Sequence, residues 1–159
     1  MQNELNSLNK HNAWEVIDKP ENIKKIIKSK WVYALKENES GEKKYKARLV
    51  AAGFNQIKNI DFSESYPPVF SIEVFRLLIS FAAKLNLIVI FFYAKPAYLY
   101  NDLEETIYTT PLQDFEETIF EGKILKLKKS IYGLPQSGRS WYLKIKSELE
   151  KNWFSSISF

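Results

Sequence analysis

The chain has 159 residues, of which 45% are hydrophobic and 15% aromatic, so it can bury a core and is not a disordered tail. That length is typical of one domain, or of a piece of a larger protein. Cysteine is absent and His11 is the only histidine. Disulfides and thiolate metal sites are therefore excluded, and a Ser-His or Cys-His pair would lack its usual parts. His11 itself fits an ordinary surface or turn position.

The sequence also lacks the features of a secreted or membrane protein. Its opening, MQNELNSLNK, does not follow the charged, apolar and small-residue order of a signal peptide. The longest apolar run, from Leu85 to Tyr93, is far shorter than the roughly 18 residues that a membrane span needs. We therefore expect an intracellular protein without a membrane partner, and the choice between cytoplasm and nucleus stays open.

Charged residues are segregated along the chain, although the net charge is only +4. Acidic residues concentrate between Asp102 and Glu121, whereas the cations cluster elsewhere. Clustered cations suit a nucleic-acid surface because phosphate contacts need them, but a solvated lysine-rich face accounts for the same pattern. The clusters are Lys24, Lys25, Lys28 and Lys30; Lys43, Lys44, Lys46 and Arg48; Lys123, Lys126, Lys128 and Lys129; and Arg139, Lys144 and Lys146.

The first elements predicted in chain order are short. Leu5 and Leu8 share one face of a helix, and residues 12–17 form an extended segment that Pro20 ends. Residues 21–27 fit either a short helix or a loop.

A β-hairpin is the clearest local prediction. KWVYALK at 30–36 and KYKARLVA at 44–51 are rich in strand formers, and the polar stretch ENESGE separates them. Lys46 and Arg48 then lie on one face of the second strand, where either a polyanion or water can surround them.

The middle of the chain predicts a helix followed directly by a buried strand. A loop over 53–66 ends at Pro67-Pro68, and Ser71 is a suitable N-cap for a helix over 72–85. We expect the run LIVIFFY, at 87–93, to form a central strand covered on both faces. The side chains that the helix is expected to bury are Leu77, Leu78, Phe81 and Ala82.

The last part of the chain adds two strands and a long helix. Residues 106–109 and 123–127 predict short strands, and 136–153 predicts an amphipathic helix with a stripe of Trp141, Ile145 and Leu149. Strands and helices mix without regular alternation, so the predicted fold class is α+β in one unit.

Five blocks of the sequence carry a resemblance when they are taken together. They are ELNSLNKHNAWEVIDKP at 4–20, SKWVYALKENESGEKKYKARLVAAGFNQ at 29–56, IDFSESYPPV at 60–69 followed by Arg76, LEETIYTTP at 103–111 and KLKKSIYGLPQSGRSWY at 126–142. Each block alone is a weak pattern, but their shared order and spacing are specific. Across essentially its whole length, the chain resembles the copia-type LTR retrotransposon reverse transcriptase.

The resemblance implies a partial right-hand polymerase fold, made of the fingers plus the first half of the palm, with the thumb absent. Residues 1–86 and 111–135 would be fingers-like, and residues 87–110 and 136–159 would be palm-like. The family copies RNA or DNA templates into DNA, so an RNA or DNA template-primer is the implied partner.

The resemblance also implies roles for individual residues. Lys36, Lys46 and Arg48 of the fingers hairpin would lie over the incoming triphosphate, although solvated strand cations remain the alternative. Tyr98 occupies the aromatic position that packs under the sugar and excludes a 2′-hydroxyl. Gln136 would lie beside the incoming nucleotide. Two cations of the last helix, Arg139 and Lys144, are candidates for holding template or primer phosphates.

Tyr93 departs from the family at its most important position. The family has an aspartate there, which helps to bind two magnesium ions that activate the primer hydroxyl. A phenol, with a pKa of about 10, is neutral at pH 7 and is a poor magnesium ligand. Asp102 lies beyond Pro96 and is not expected to substitute. We therefore expect no bound metal or other cofactor, and we assign no catalytic residue.

The family's second metal-binding element, a paired aspartate, lies downstream of the long helix. No Asp-Asp pair occurs in this sequence. We therefore expect a truncated, inactive fragment whose unpaired palm edge favours self-association. Two alternatives stay open. One is a retained nucleic-acid-binding or interaction module without catalysis, and the other is an active polymerase that takes its missing half from another chain.

Overall fold

The computed structural model describes residues 1–23, 25–111 and 122–152. Their helices are α1 (Gln2–Lys10), α2 (Ile72–Lys84) and α3 (Ser137–Asn152), and 3₁₀ turns lie at Gly53–Asn55 and Tyr98–Tyr100. The strands are β1 (Trp14–Asp18), β2 (Ser29–Glu37), β3 (Lys43–Ala51), β4 (Asp102–Thr109) and β5 (Lys123–Lys129). The predicted mixed α+β class is confirmed.

Strand β5 is the centre of a three-stranded antiparallel sheet in the order β1-β5-β4. Leu127 of β5 lies opposite Trp14 of β1 and Ile107 of β4. Leu125 and Leu127 are each 2% exposed. The strands predicted over 106–109 and 123–127 are confirmed, and they extend over Asp102–Thr109 and Lys123–Lys129.

Strands β2 and β3 form the predicted hairpin as a separate two-stranded sheet. Tyr33 pairs with Ala47, and the register runs without a bulge from Ser29 opposite Ala51 to the loop end. The loop is closed by Asn38, whose side-chain oxygen accepts from the Glu42 N–H at 2.8 Å. The local sequence is therefore sufficient to set this element.

Two glycines let the base of the hairpin meet the segment after β5 at backbone distance. The Ala51 N–H donates to the Tyr132 carbonyl at 2.8 Å. Gly133 has φ +91°, and a Cβ there would lie 2.1 Å from the Ala51 carbonyl oxygen. A Cβ on Gly53 would lie equally close, 2.1 Å, to the Gly133 carbonyl oxygen. Only glycine fits such an approach, and this contact fixes β3 beside residues 130–136.

One buried cluster joins α1, the hairpin base and the three-stranded sheet. Leu8 of α1 is 2% exposed, as the helical pattern predicts, and Leu5 packs against the cluster. Leu99 brings the Tyr98–Tyr100 turn onto the same core. The remaining members are Ala13, Ile27, Leu49, Ala51, Ile107, Leu127, Ile131 and Leu134. This core fixes α1, β3 and the turn relative to one another.

The expectations for α2 and the segment after it are partly wrong. The helix and its N-cap are present, because the Val74 N–H donates to Ser71 Oγ at 3.4 Å. Of the four side chains expected to be buried, however, only Ala82 is, whereas Leu77 and Leu78 are each 56% exposed and Phe81 51%. The apolar face of α2 therefore meets little of the described chain.

The predicted central strand over 87–93 is also wrong. These residues are in irregular, exposed backbone, with Ile88 at 88% and Ile90 at 77% exposure. The physical reason is that a strand needs a hydrogen-bonded neighbour, and no strand among the described residues pairs with this run.

The predictions for residues 21–27 and for the last helix agree with the structure. Among the described residues of 21–27, the loop alternative holds, and Ile27 forms a bridge with Thr109. Helix α3 confirms the last predicted helix, and its stripe of Trp141, Ile145 and Leu149 is half-buried. Trp153, the predicted helix end, lies outside the described residues. In the described ranges, no helix has the length and apolar character needed to cross a bilayer.

Candidate nucleotide and nucleic-acid site

A cleft of about 930 Å³ opens between α1, the β2–β3 hairpin and the segment from Tyr93 to Tyr100. Its volume lies at the upper end of the usual range for ligand sites, about 300–1,000 Å³. The predicted nucleotide contacts Lys36, Lys46, Arg48 and Tyr98 all line it. The other cations of its lining are Lys10, Lys44 and Lys95. The fold therefore gathers the cations of the β2–β3 hairpin and Tyr98 into one concave, basic surface.

The hairpin register explains why these cations crowd together. Lys36 lies opposite Lys44, and Lys46 and Arg48 follow on the same face of β3. The charge of Lys36 lowers the pKa of Lys46 most strongly, and desolvation and Arg48 lower it further. A bound anion would relieve this mutual repulsion, so the cluster is electrostatically suited to phosphate.

An aromatic pair forms the floor of the cleft beside Arg48. The guanidinium carbon of Arg48 lies 5.1 Å from the centroid of the Tyr132 ring. Tyr98 meets Tyr132 edge to face, with centroids 4.9 Å apart. Desolvation raises the pKa of Tyr132, and this outweighs the opposing effect of Arg48. The Tyr132 phenol is therefore neutral, and the pair holds Arg48 in a defined place.

Helix α1 supplies the opposite wall. Burial raises the pKa of Glu4, while the Leu49 backbone and the charges of Arg48 and Lys95 oppose that rise. His11 lies in the turn after α1, where its Nδ1 is 2.7 Å from the Ser7 carbonyl oxygen. That contact fits the ordinary turn role expected for this histidine.

The side chains around Tyr93 do not fit a two-magnesium site. Tyr93 is 80% exposed and lines the cleft, and Glu4 is the one carboxylate among the described residues of the lining. Asp102 instead pairs with Lys129 at 2.8 Å. Across residues 1–23, 25–111 and 122–152, no three His, Cys, Asp or Glu side chains are grouped to hold a metal ion. Magnesium requires several hard oxygen ligands, so no step through a metal can be assigned here.

The three predicted contacts on and before α3 lie apart from the cleft lining. Gln136 is 3% exposed, and neither polar atom of its side chain has a hydrogen-bond partner among the described residues. Arg139 forms an ion pair with Glu64. Lys144 pairs with Glu148 at 3.0 Å, one turn further along the helix. Their predicted roles toward nucleotide and nucleic acid stay predictions.

The residues of the cleft that the sequence analysis missed include Glu4, Lys95 and Tyr132. Tyr132 is part of the YGLPQ block, so its block membership was a usable signal. Lys95 follows Tyr93 by two residues and was hidden by the expectation of a strand end there. Glu4 opens the first of the five blocks, but nothing local in its sequence predicts that α1 packs beside β3.

Comparisons with known proteins agree with this arrangement. A family model described as reverse transcriptase (RNA-dependent DNA polymerase) matches residues 11–159. The chain is 39% identical, over 97% of its length, to the retrovirus-related Pol polyprotein from transposon TNT 1-94 of Nicotiana tabacum. It is 28% identical, over 94% of its length, to the Pol polyprotein from transposon RE1 of Arabidopsis thaliana.

A yeast relative extends the comparison beyond plants. The chain is 33% identical, over 93% of its length, to the transposon Ty1-DR5 Gag-Pol polyprotein of Saccharomyces cerevisiae. It covers 12%, 10% and 8%, respectively, of these three relatives. No solved structure matches the chain. Because the family model spans nearly all of its residues, the chain belongs to the reverse transcriptase family of copia-type retrotransposons.

Proposed function

We propose that this chain is a catalytically inactive segment of a copia-type reverse transcriptase. The observation that carries the proposal is Tyr93, which stands where the family pattern has a metal-binding aspartate and faces a cleft lined by cations. A phenol is a poor ligand for magnesium, which is held by carboxylate and other hard oxygen ligands. The proposed fingers and palm division, 1–86 with 111–135 and 87–110 with 136–159, follows from the same resemblance.

A primer-extension assay tests the proposal directly. The purified chain is mixed with a primed RNA template, the four deoxynucleoside triphosphates and Mg²⁺, and product is measured with and without EDTA. We expect no incorporation above the level without protein. Incorporation that EDTA abolishes would overturn the proposal and favour an active polymerase completed by a second chain.

A second candidate function is nucleic-acid binding without catalysis. It is favoured by the cation cluster of Lys36, Lys44, Lys46 and Arg48, because none of these four is in an ion pair among the described residues. The proposed partner is the RNA or DNA template-primer of the family, and Arg139 and Lys144 are proposed to add phosphate contacts.

Salt dependence separates specific phosphate contact from weak adsorption. Affinity for an RNA–DNA duplex is measured from 50 to 200 mM salt. Each neutralised phosphate should contribute a slope of about −0.9 in log affinity against log salt. Four contacts would give a slope near −3.6, and the variant with Lys44 and Lys46 changed to alanine should lose about two contacts. A slope near zero would count against this candidate.

We also propose that the chain self-associates through its exposed apolar surface, defined here as Val69–Tyr93. Sixteen large apolar side chains of this range are 36% exposed or more. The five aromatic side chains among them, at about 150–250 Å² each and all at least half exposed, contribute on the order of 500 Å², and the eleven aliphatic side chains add to that area. Patches on monomers rarely exceed about 600 Å², and a stable dimer buries about 800 Å² per partner. A second copy presents the same exposed apolar side chains, and only Glu73, Arg76 and Lys84 are charged within the range, so the surface can pair with itself.

A further inference from the structure

Residues 88–93 carry backbone groups without a hydrogen-bond partner: no N–H or C=O of this stretch is bonded to another residue that the structure describes. The stretch begins just after a closed helix end. The Asn86 N–H donates to the Ala83 carbonyl at 3.3 Å, and the Leu87 N–H donates to the Ala82 carbonyl at 2.8 Å. Asn86 has φ +53°, the left-handed conformation with which such a cap turns the chain away from a helix. The chain therefore leaves α2 with both backbone edges open.

The composition of this run favours pairing with an identical run. LIVIFFY, at 87–93, consists of leucine and of β-branched and aromatic residues, and it has no charge, proline or glycine. Exposed segments of about six or seven residues with this composition pair readily with copies of themselves. Lys84 and Pro96 lie outside the run, so neither a charge nor a missing N–H interrupts it. The run is therefore suited to adding a strand from a second copy.

Helix α2 supplies cover for one face of the run. The Phe91 ring contacts Phe75 of α2, with centroids 6.5 Å apart, and Phe75 stacks on Phe70 at 6.1 Å. In extended backbone, Leu87 and Val89 share a face with Phe91, and Val89 is the least exposed residue of the run. A two-stranded ribbon is marginal alone in water but is stabilised when it packs on a helix. Each copy therefore brings both a strand and a helix that can cover it.

We propose that two copies of the chain pair residues 87–93 as antiparallel strands about a two-fold axis, with Ile90 opposite Ile90 of the second copy. The inference deepens the proposed self-association and rests on it, because it names the segment, direction and register of the contact. Ile90 is the middle residue of the run, so this register pairs every residue of it. A two-fold contact uses one surface twice and closes at two copies.

The same register brings the two α2 helices to one face of the ribbon. Val89 lies opposite Phe91 of the second copy, and directly opposite residues of antiparallel strands point to the same face. The exposed apolar side chains of both helices then join the contact. Their area matters because a stable dimer buries about 800 Å² per partner, which is more than seven side chains supply.

The absence of cysteine allows a direct test of the register, because a single introduced thiol cross-links only to its own position in a second copy. Opposite Cα atoms of antiparallel strands lie about 4.5–5.5 Å apart, within the reach of a disulfide. Ile90→Cys is oxidised mildly at low protein concentration, and linked dimer is measured on a non-reducing gel. It should form at least about tenfold faster than from Ile60→Cys, because paired thiols have a high effective concentration. Ile60 is the matched control, since both isoleucines are 77% exposed.

Two further thiol variants fix the direction of pairing. Ile88 lies opposite Phe92 of the second copy in this register, so it is about 13 Å from Ile88 of that copy. Ile88→Cys alone and Phe92→Cys alone should cross-link no faster than Ile60→Cys, whereas an equimolar mixture of the two should cross-link nearly as fast as Ile90→Cys. Equal cross-linking at all three positions would mean parallel pairing, and no excess at position 90 would mean association through side chains alone. Either result overturns the inference.

A proline variant tests whether the backbone makes the contact. Val89→Pro with Ile90→Pro removes one N–H from each edge of the run, since successive N–H groups point to opposite edges. Gel filtration over a range of concentrations should show dimerisation at least about tenfold weaker than for Val89→Ala with Ile90→Ala, because two-fold symmetry removes each bond twice. Equal dissociation constants would overturn the inference but leave the self-association. A monomeric unaltered chain would remove both, and neither result bears on primer extension.

Discussion

Two apolar runs of the described chain differ sharply in exposure: one lies in the three-stranded sheet, and the other follows α2. In the three-stranded sheet, the run KILKL of β5 has a partner on each side, and Ile124, Leu125 and Leu127 are at most 4% exposed. In the segment after α2, the still more apolar run LIVIFFY has no strand partner among the described residues, and Phe91 is 74% exposed. Apolar composition therefore indicates that a segment needs a packing partner. Whether the segment forms a buried strand depends on whether that partner is present.

The largest expected effect on the free energy of unfolding lies in the well-packed region, where the hairpin contacts residues 130–136. Gly133→Ala should lower the free energy of unfolding by about 3 kcal/mol or more, because the new Cβ meets a backbone oxygen at 2.1 Å and φ is +91°. Denaturant unfolding followed by circular dichroism measures it.

Gly41→Ala is the matched control for that substitution. Gly41 also has positive φ, +75°, but its nearest neighbour is the flexible Glu37 Oε1 at 3.8 Å. Its cost should be only that of the backbone conformation, about 1 kcal/mol. Equal costs at the two glycines would show that the backbone contact of Gly133 with Ala51 adds nothing to the cost of positive φ.

A pair of leucine truncations tests the comparison itself. Leu125→Ala, at a site 2% exposed, should cost about 3 kcal/mol through lost burial and a residual cavity. Leu78→Ala, at a site 56% exposed, should cost less than about 1 kcal/mol in the monomer. If Leu78→Ala proved as costly as Leu125→Ala at low protein concentration, the α2 face would be buried within one chain. The proposed difference between the three-stranded sheet and the α2 segment would then be wrong.

Self-association should depend on the exposed apolar surface, Val69–Tyr93, and not on the three-stranded sheet. We expect the unaltered chain to show a mass above that of a monomer in light scattering coupled to gel filtration. Ile90→Lys together with Phe91→Glu should shift it toward the monomer with little change in unfolding free energy, because both positions are about three-quarters exposed. A monodisperse monomer of the unaltered chain would remove the proposed self-association.

The same contrast explains how much the sequence could predict. The hairpin, the Ser71 cap and α3 follow from residues that are close in sequence, and all are present. The central strand over 87–93 was wrong because its pairing depends on chain that is distant in sequence. At the site, Lys36, Lys46, Arg48 and Tyr98 do line one cleft, and only the resemblance could assign them to one site from the sequence. Glu4 could not be foreseen, because only tertiary packing brings α1 beside β3.

The smallest effect expected is the pH dependence that Glu4 adds where α1 meets the cleft. The pKa of Glu4 is raised in the folded chain above its usual 4.5, mainly by burial. The protonated form is thus favoured by folding, so its contribution to stability is present below pH 4.5 and is lost as pH rises through the raised pKa.

Glu4→Gln isolates this contribution from the carboxyl groups with the opposite sign. The pKa of Asp61 is lowered, chiefly by its hydrogen bond with Lys25, so its contribution is instead lost as pH falls. Because Asp61 is common to both chains, the difference in unfolding free energy between Glu4→Gln and the unaltered chain cancels it. That difference should grow as pH rises above the usual glutamate value and stay below about 0.5 kcal/mol, since Glu4 is only half-buried. A difference that is flat from acid to neutral pH would mean that Glu4 is fully solvated and that α1 does not close the cleft.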